Sequence, residues 1–192
     1  VDPIVTAAQI ITAAQTIVSR QVDVTKAPSV LSFGIVQGGV RNNIIPDEVE
    51  LVGTIRNFDM GIREQIHAKL KRTAQMVAES AGATADVRID LGYPVTVNDP
   101  ALTAQMLPTV QRVVGEGKMV ESPLVTGAED FSYYAMETPG LFLYLGGSPA
   151  DVDPLSAPTN HSPLFYVDES TLKTGVNVFT QLVIDYFEQA AN

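Results

Sequence analysis

The order of hydrophobic periods along residues 2–93 restricts the fold of this chain more than any total does. In DPIVTAAQIITAAQTIVSRQ (2–21), Ile4, Ala7, Ala8, Ile11, Ala14, Ile17 and Val18 recur at three- and four-residue spacing, which predicts an amphipathic helix. Asp2 suits its N-cap and Pro3 its first helical position. The period then shortens to two. In SVLSFGIVQGG (29–39), Leu31, Phe33 and Ile35 alternate with small or polar residues. In EVELVGTIRNF (48–58), Val49, Leu51, Gly53 and Ile55 share one face, while Glu48, Glu50, Thr54 and Arg56 share the other. A helical period returns from about Gly61 to Ala81, with Ile62, Ile66, Leu70, Val77 and Ala81 as its stripe and Gly82 as its stop. TADVRIDLGY (84–93) reads as a third strand.

The resulting order, α-β-β-α-β, falls one strand short of a ferredoxin-like β-α-β-β-α-β unit. The chain also opens almost directly in a helix, with no Met and no leader. The expectation is therefore an absent first strand lying before Val1. PVTVNDP (94–100) reads as a junction, so residues 1–95 and 96–192 are expected to be separate domains. Beyond it we expect a helix over about 100–115 and a short apolar run, LFLYLGG (141–147), as a strand buried on both faces. A Pro/Asp/Ser loop (148–160) and a final helix over about 168–191 follow, with Leu172, Val176, Phe179, Val183 and Phe187 in register. This half has too few strands to close a sheet of its own, and it reads as the tail of a larger α/β domain.

Charge narrows the partners. A formal net charge of −10, with twelve scattered basic residues, argues against nucleic acid, whose binding rests on clustered Lys and Arg. No apolar run reaches membrane-spanning length, and no P-loop, dinucleotide fingerprint or Gly-x-Ser-x-Gly appears. The absence of cysteine removes disulfides and thiolate catalysis from this chain.

Three places carry groups suited to chemistry. His161, in TNHSPLF (159–165), is an imidazole in a loop; a metal site needs three or more ligands, and a lone loop histidine is more often structural or solvated. His67 lies beside the stripe of its helix and reads as a surface residue. In TGAEDFSYY (126–134), Gly127 and Ala128 would let a ligand approach the backbone near a helix start, or Glu129 and Asp130 would merely favour that helix end electrostatically. In GGVRNNIIPDEVELVGTIRNFD (38–59), Arg56 and the turn residues Asn42 and Asn43 could form a carboxylate clamp; the competing reading has Glu50 neutralising Arg56 on an exposed sheet face.

Taken in series, these motifs, with VDPIVTAAQIITAAQTIVSR, GYPVTVNDP and NHSPLFYVDESTLKTGV, resemble the M20 metallopeptidase family. The branch is that of N-acyl-amino-acid amidohydrolases, hippurate hydrolases and auxin-conjugate hydrolases. The resemblance covers essentially the whole chain. It implies an α/β (α+β) protein: a ferredoxin-like lid lacking its first strand (1–95), then the C-terminal segment of a metallohydrolase catalytic domain (96–192). It assigns His161 as the last metal ligand, Asn43 and Arg56 as lid residues that bind substrate, and Gly127 and Ala128 as pocket border. No metal role carries over to Glu129 or Asp130, and no catalytic residue lies in this chain, since the general-base glutamate and the other ligands belong upstream.

The chemistry implied for the intact enzyme is amide hydrolysis by water activated between two divalent ions (Zn, Mn, Co or Ni), with a glutamate taking the proton. The fragment alone is expected to be inactive and to bind metal weakly or not at all. The expected partners are an N-acyl amino acid and a second copy through the lid, with no membrane and no nucleic acid; the expected compartment is the cytoplasm, with export as the alternative. A non-catalytic ferredoxin-like module that dimerises or binds a small ligand is the rival reading, and a metal-free relative that only binds amino-acid derivatives is the next.

Overall fold

The first helix, α1 (Pro3–Thr16), starts where a carboxylate can satisfy its free amides. In the computed structural model, which describes residues 1–153 and 156–191, Asp2 accepts hydrogen bonds from the Ile4 and Val5 amides at 2.9 and 3.4 Å. A π-helical turn, Ile17–Gln21, extends α1 and keeps Ile17 fully buried. Strands β1 (Ser29–Gln37) and β2 (Glu50–Asn57) pair antiparallel, with Ser29 opposite Asn57 and Gln37 opposite Glu50. Gly53 permits that pairing, because a Cβ there would collide with the Ser32 carbonyl oxygen. Helix α2 (Met60–Ser80) is capped by Asp59, which accepts from the Ile62 amide at 2.9 Å and pairs with Lys26 at 2.8 Å. Gly82, at a φ of +71°, closes it, and the Ala83 amide reaches back to the Ala78 carbonyl at 2.8 Å.

These elements form the first of two compact units, residues 1–95 with 126–129. Its core has two parts: Ala14, Ile17, Ala27, Leu31, Ile62 and Ile66, then Ile10, Ala74 and Ala78. Two sequence expectations need correction here. The buried face of α1 runs through Ala7, Ile10, Ala14 and Ile17, so Ile4 and Ala8 face solvent and the true stripe is rotated from the expected one. Ile35 is 50% exposed because a bulge between Phe33 and Ile35 inserts a residue and reverses the alternation.

The third strand is also a correction. Residues 84–93 carry no ladder, and the sheet in the described residues has two strands. Its alternation survives nonetheless: Ala83, Ala85 and Val87 pack on the Ile10, Ala74 and Ala78 cluster. A period-two pattern sets which side chains turn inward, whereas a strand also needs a neighbour for its backbone. What stands is a mixture of helices with a small antiparallel sheet.

The second unit covers the described residues of 96–125 and 130–192, and holds α3 (Pro100–Val114), α4 (Phe131–Glu137) and α5 (Ser170–Ala190). Asp99 caps α3 through the Leu102 amide at 2.7 Å. Helices α3 and α5 meet through polar groups: Asp185 accepts from Thr109 and from Arg112 (2.6 Å), and Gln105 reaches Gln189 at 3.0 Å. The run 141–147 is not a doubly buried strand; Leu143, Tyr144 and Leu145 are exposed. The Asn98 amide holds its start by imitating a peptide, accepting from the Phe142 amide at 2.7 Å and donating to the Phe142 carbonyl at 3.0 Å. Of the loop 148–160, residues 154 and 155 lie outside the described residues. No helix among the described residues is long and apolar enough to cross a membrane.

Candidate functional site

Strand β2 sends alternate side chains to opposite faces, which leaves Arg56 exposed on the polar one while Leu51 and Ile55 turn toward the core. Its guanidinium reaches a residue 70 positions away: Nη1 donates to the Thr126 carbonyl at 2.6 Å. Both belong to the first unit. The expected neutralisation by Glu50 does not form, and among the described residues no carboxylate lies within ion-pair distance of Arg56. Gly127 and Ala128, singled out from the sequence, follow Thr126 directly and are exposed. The structure thus joins Arg56 to the segment that contains them.

Asn43 sits in the exposed turn between β1 and β2, which the Ile44 amide closes by donating to the Arg41 carbonyl at 3.3 Å. No hydrogen bond among the described residues ties the Asn43 side chain to Arg56. Thr126 was not among the sequence candidates, since its contribution is a backbone oxygen and carries no residue-type signal.

His161 belongs to the second unit and is exposed in a turn. That turn is built locally: the Ser162 amide donates to Thr159 O at 2.9 Å, the Phe165 amide to Ser162 O at 3.0 Å, and Ser162 Oγ accepts from the Leu164 amide at 3.2 Å. Among the described residues no three His, Cys, Asp or Glu side chains gather closely enough to hold a metal ion. One imidazole does not make a two-metal centre, so the residues present do not fit such a centre by themselves. Asp130 precedes α4 without a side-chain cap bond, and His67 is partly buried on α2, where burial and then the Arg63 charge hold its pKa below the ordinary value. A recess of about 330 Å³ in the second unit is lined by Asn98, Asp99, Met136 and Glu137 among others, and none of the candidate residues lines it.

The comparison that decides the family is a match to the model of peptidase family M20/M25/M40 over residues 6–185. The chain belongs to that family. It is 34% identical over 187 residues to thermostable carboxypeptidase 2 of Saccharolobus solfataricus, covering 97% of this chain and 46% of that protein. It is 35% identical to N-acetyldiaminopimelate deacetylase of Leuconostoc citreum, covering 95% of this chain and 45% of the relative. Among solved structures it resembles the Bacillus subtilis YXEP protein, a dinuclear metal-binding peptidase from family M20, with a TM-score of 0.79 at 28% identity. That likeness spans 98% of this chain and 47% of the other. The M20 chain thus spans about half the length of the relatives it matches.

Proposed function

We propose that this chain is part of a metal-dependent M20 amidohydrolase that cleaves the amide of N-acyl amino acids or similar conjugates. Its first unit acts as the lid and presents the group that binds the substrate's carboxylate. The observation that carries this reading is Arg56: an exposed guanidinium, without a carboxylate partner among the described residues, hydrogen-bonded to the segment containing Gly127 and Ala128. A cation left without an acidic partner and anchored by a neutral carbonyl keeps its charge for a ligand. The names of the relatives, a carboxypeptidase and an N-acetyldiaminopimelate deacetylase, support that chemistry.

In this reading Asn43 contributes its amide to the substrate, and His161 is one ligand of a metal pair whose other ligands the described residues do not supply. The lid unit pairs with a second copy, so a strictly monomeric chain in light scattering would count against that part. The 192-residue chain, given Zn or Mn, is expected to leave N-acetyl amino acids unhydrolysed; turnover would contradict the reading. Calorimetry with N-acetylalanine tests the carboxylate site itself. Arg56→Ala is expected to weaken binding by roughly tenfold or more, as loss of a charged hydrogen-bond donor does. Equal affinity would overturn the proposal.

A further inference from the structure

The edge of a guanidinium that remains open decides how a carboxylate can meet it. Arg56 uses Nη1 for the Thr126 carbonyl at 2.6 Å, and among the described residues neither Nε nor Nη2 has a partner. A guanidinium is planar, and Nη1 lies on the side away from the Nε–H bond. The side formed by Nε–H and Nη2–H is therefore intact, and its two parallel donors match the two oxygens of a carboxylate. Approach across Nη1 and Nη2 would instead bring the carboxylate to the nitrogen that already holds the Thr126 oxygen, setting two electron-rich acceptors near each other.

We infer that the Thr126 carbonyl is a positioning group for Arg56, holding Nη1 so that a ligand carboxylate is taken side-on by Nε and Nη2. The inference rests on the carboxylate-binding reading above and adds the orientation of the bound group. Strand β2 fixes the Cα of Arg56, but its long side chain has several rotatable bonds. A second anchor at the tip removes that freedom before the ligand arrives, and pre-organisation of this kind raises affinity without a new contact to the ligand. Lysine at this position could serve Thr126 and one carboxylate oxygen, but it has no planar fork with which to take both oxygens in parallel.

Nitrogen NMR on the 192-residue chain with labelled arginine tests this in two stages. The first needs no ligand. Arg56 is expected to rotate about its Nε–Cζ bond roughly fivefold more slowly than Arg41, whose guanidinium has no hydrogen bond among the described residues. Replacing Gly127 by glycolate turns the amide that carries the Thr126 carbonyl into an ester, a weaker acceptor, and leaves every side chain in place. Arg56 rotation should then speed up by about fivefold, while Arg112, held by Asp185 in the second unit, stays unchanged. An Arg56 that rotates as fast as Arg41, or that ignores the ester, overturns the positioning role.

The second stage adds N-acetylalanine, which should shift the Arg56 Nε–H resonance strongly while Nη1 keeps its position. A shift confined to Nη1 and Nη2 overturns side-on binding. No shift anywhere in Arg56 removes the carboxylate reading, and side-on binding with it; the rotation measurements report on the Thr126 contact separately.

Discussion

The two units hold themselves together by different means. The first has a packed apolar interior, in which Ile17 and Ile66 have no exposed surface and helices α1 and α2 close over the two-stranded sheet. The second buries Met106 and Val110 of α3 and ties α3 to α5 with hydrogen bonds among Thr109, Arg112, Gln181 and Asp185, while α5 has no fully buried residue. Its stripe of Leu172, Val176, Phe179, Val183 and Phe187 is regular in sequence and exposed in the structure. Periodicity therefore reports which side of a helix can be buried. Whether it is buried depends on what lies opposite.

The largest test of this contrast compares one apolar deletion in each unit. Ile66→Ala should cost about 2–5 kcal/mol in urea unfolding, because its cavity is surrounded by core. Phe179→Ala, at a site 73% exposed, should change stability by no more than about 0.5 kcal/mol. Similar losses at both positions would break the comparison.

A smaller effect is expected from Gly53→Ala. The added methyl meets the Ser32 carbonyl oxygen across the ladder, so the strands must separate locally, at a cost of about 1–3 kcal/mol. Amide exchange should quicken along β1 and β2 and stay unaltered in α3 and α5.

Acid sharpens the comparison further. The Lys26 hydrogen bond, with the Ile62 amide, holds Asp59 below its ordinary pKa of 3.8, and the Thr109 hydrogen bond, with Arg112, does the same for Asp185. For a carboxylate lowered in the fold, the unfolded chain binds the proton first. The stabilisation is thus complete above about pH 4 and is lost as pH falls through the folded value. Asp185→Asn should flatten this acid dependence in the melting of the second unit, and Asp59→Asn in that of the first. An unchanged acid limb in both variants would contradict the assignment.

Local signals were legible in the sequence and pairings were not. The Asp2–Pro3 and Asp99–Pro100 helix starts are written in adjacent residues, because a cap acts within one turn. The face of α1 was legible in part: Ala7, Ala14 and Ile17 are buried as expected, but Ile10 and Ile11 are both apolar and only the neighbouring Ala74 and Ala78 select Ile10. The alternation of 84–93 was visible, yet the ladder it suggested needs a partner strand that the described residues do not provide. At the candidate site, the polar face of β2 made Arg56 a candidate, and only the family resemblance gave it a substrate-binding role. Its partner could not be found that way, for a backbone oxygen 70 residues distant leaves no trace in composition or spacing.

The recognition of a free carboxylate that we propose for Arg56 can be tested by ligand chemistry without altering the protein. Calorimetric titration of the chain with N-acetylalanine and with its primary amide compares two molecules that differ in that charge. The acid is expected to bind roughly tenfold or more tightly than the amide, with the advantage disappearing in Arg56→Ala. Equal affinities for acid and amide in the unmodified chain would contradict it.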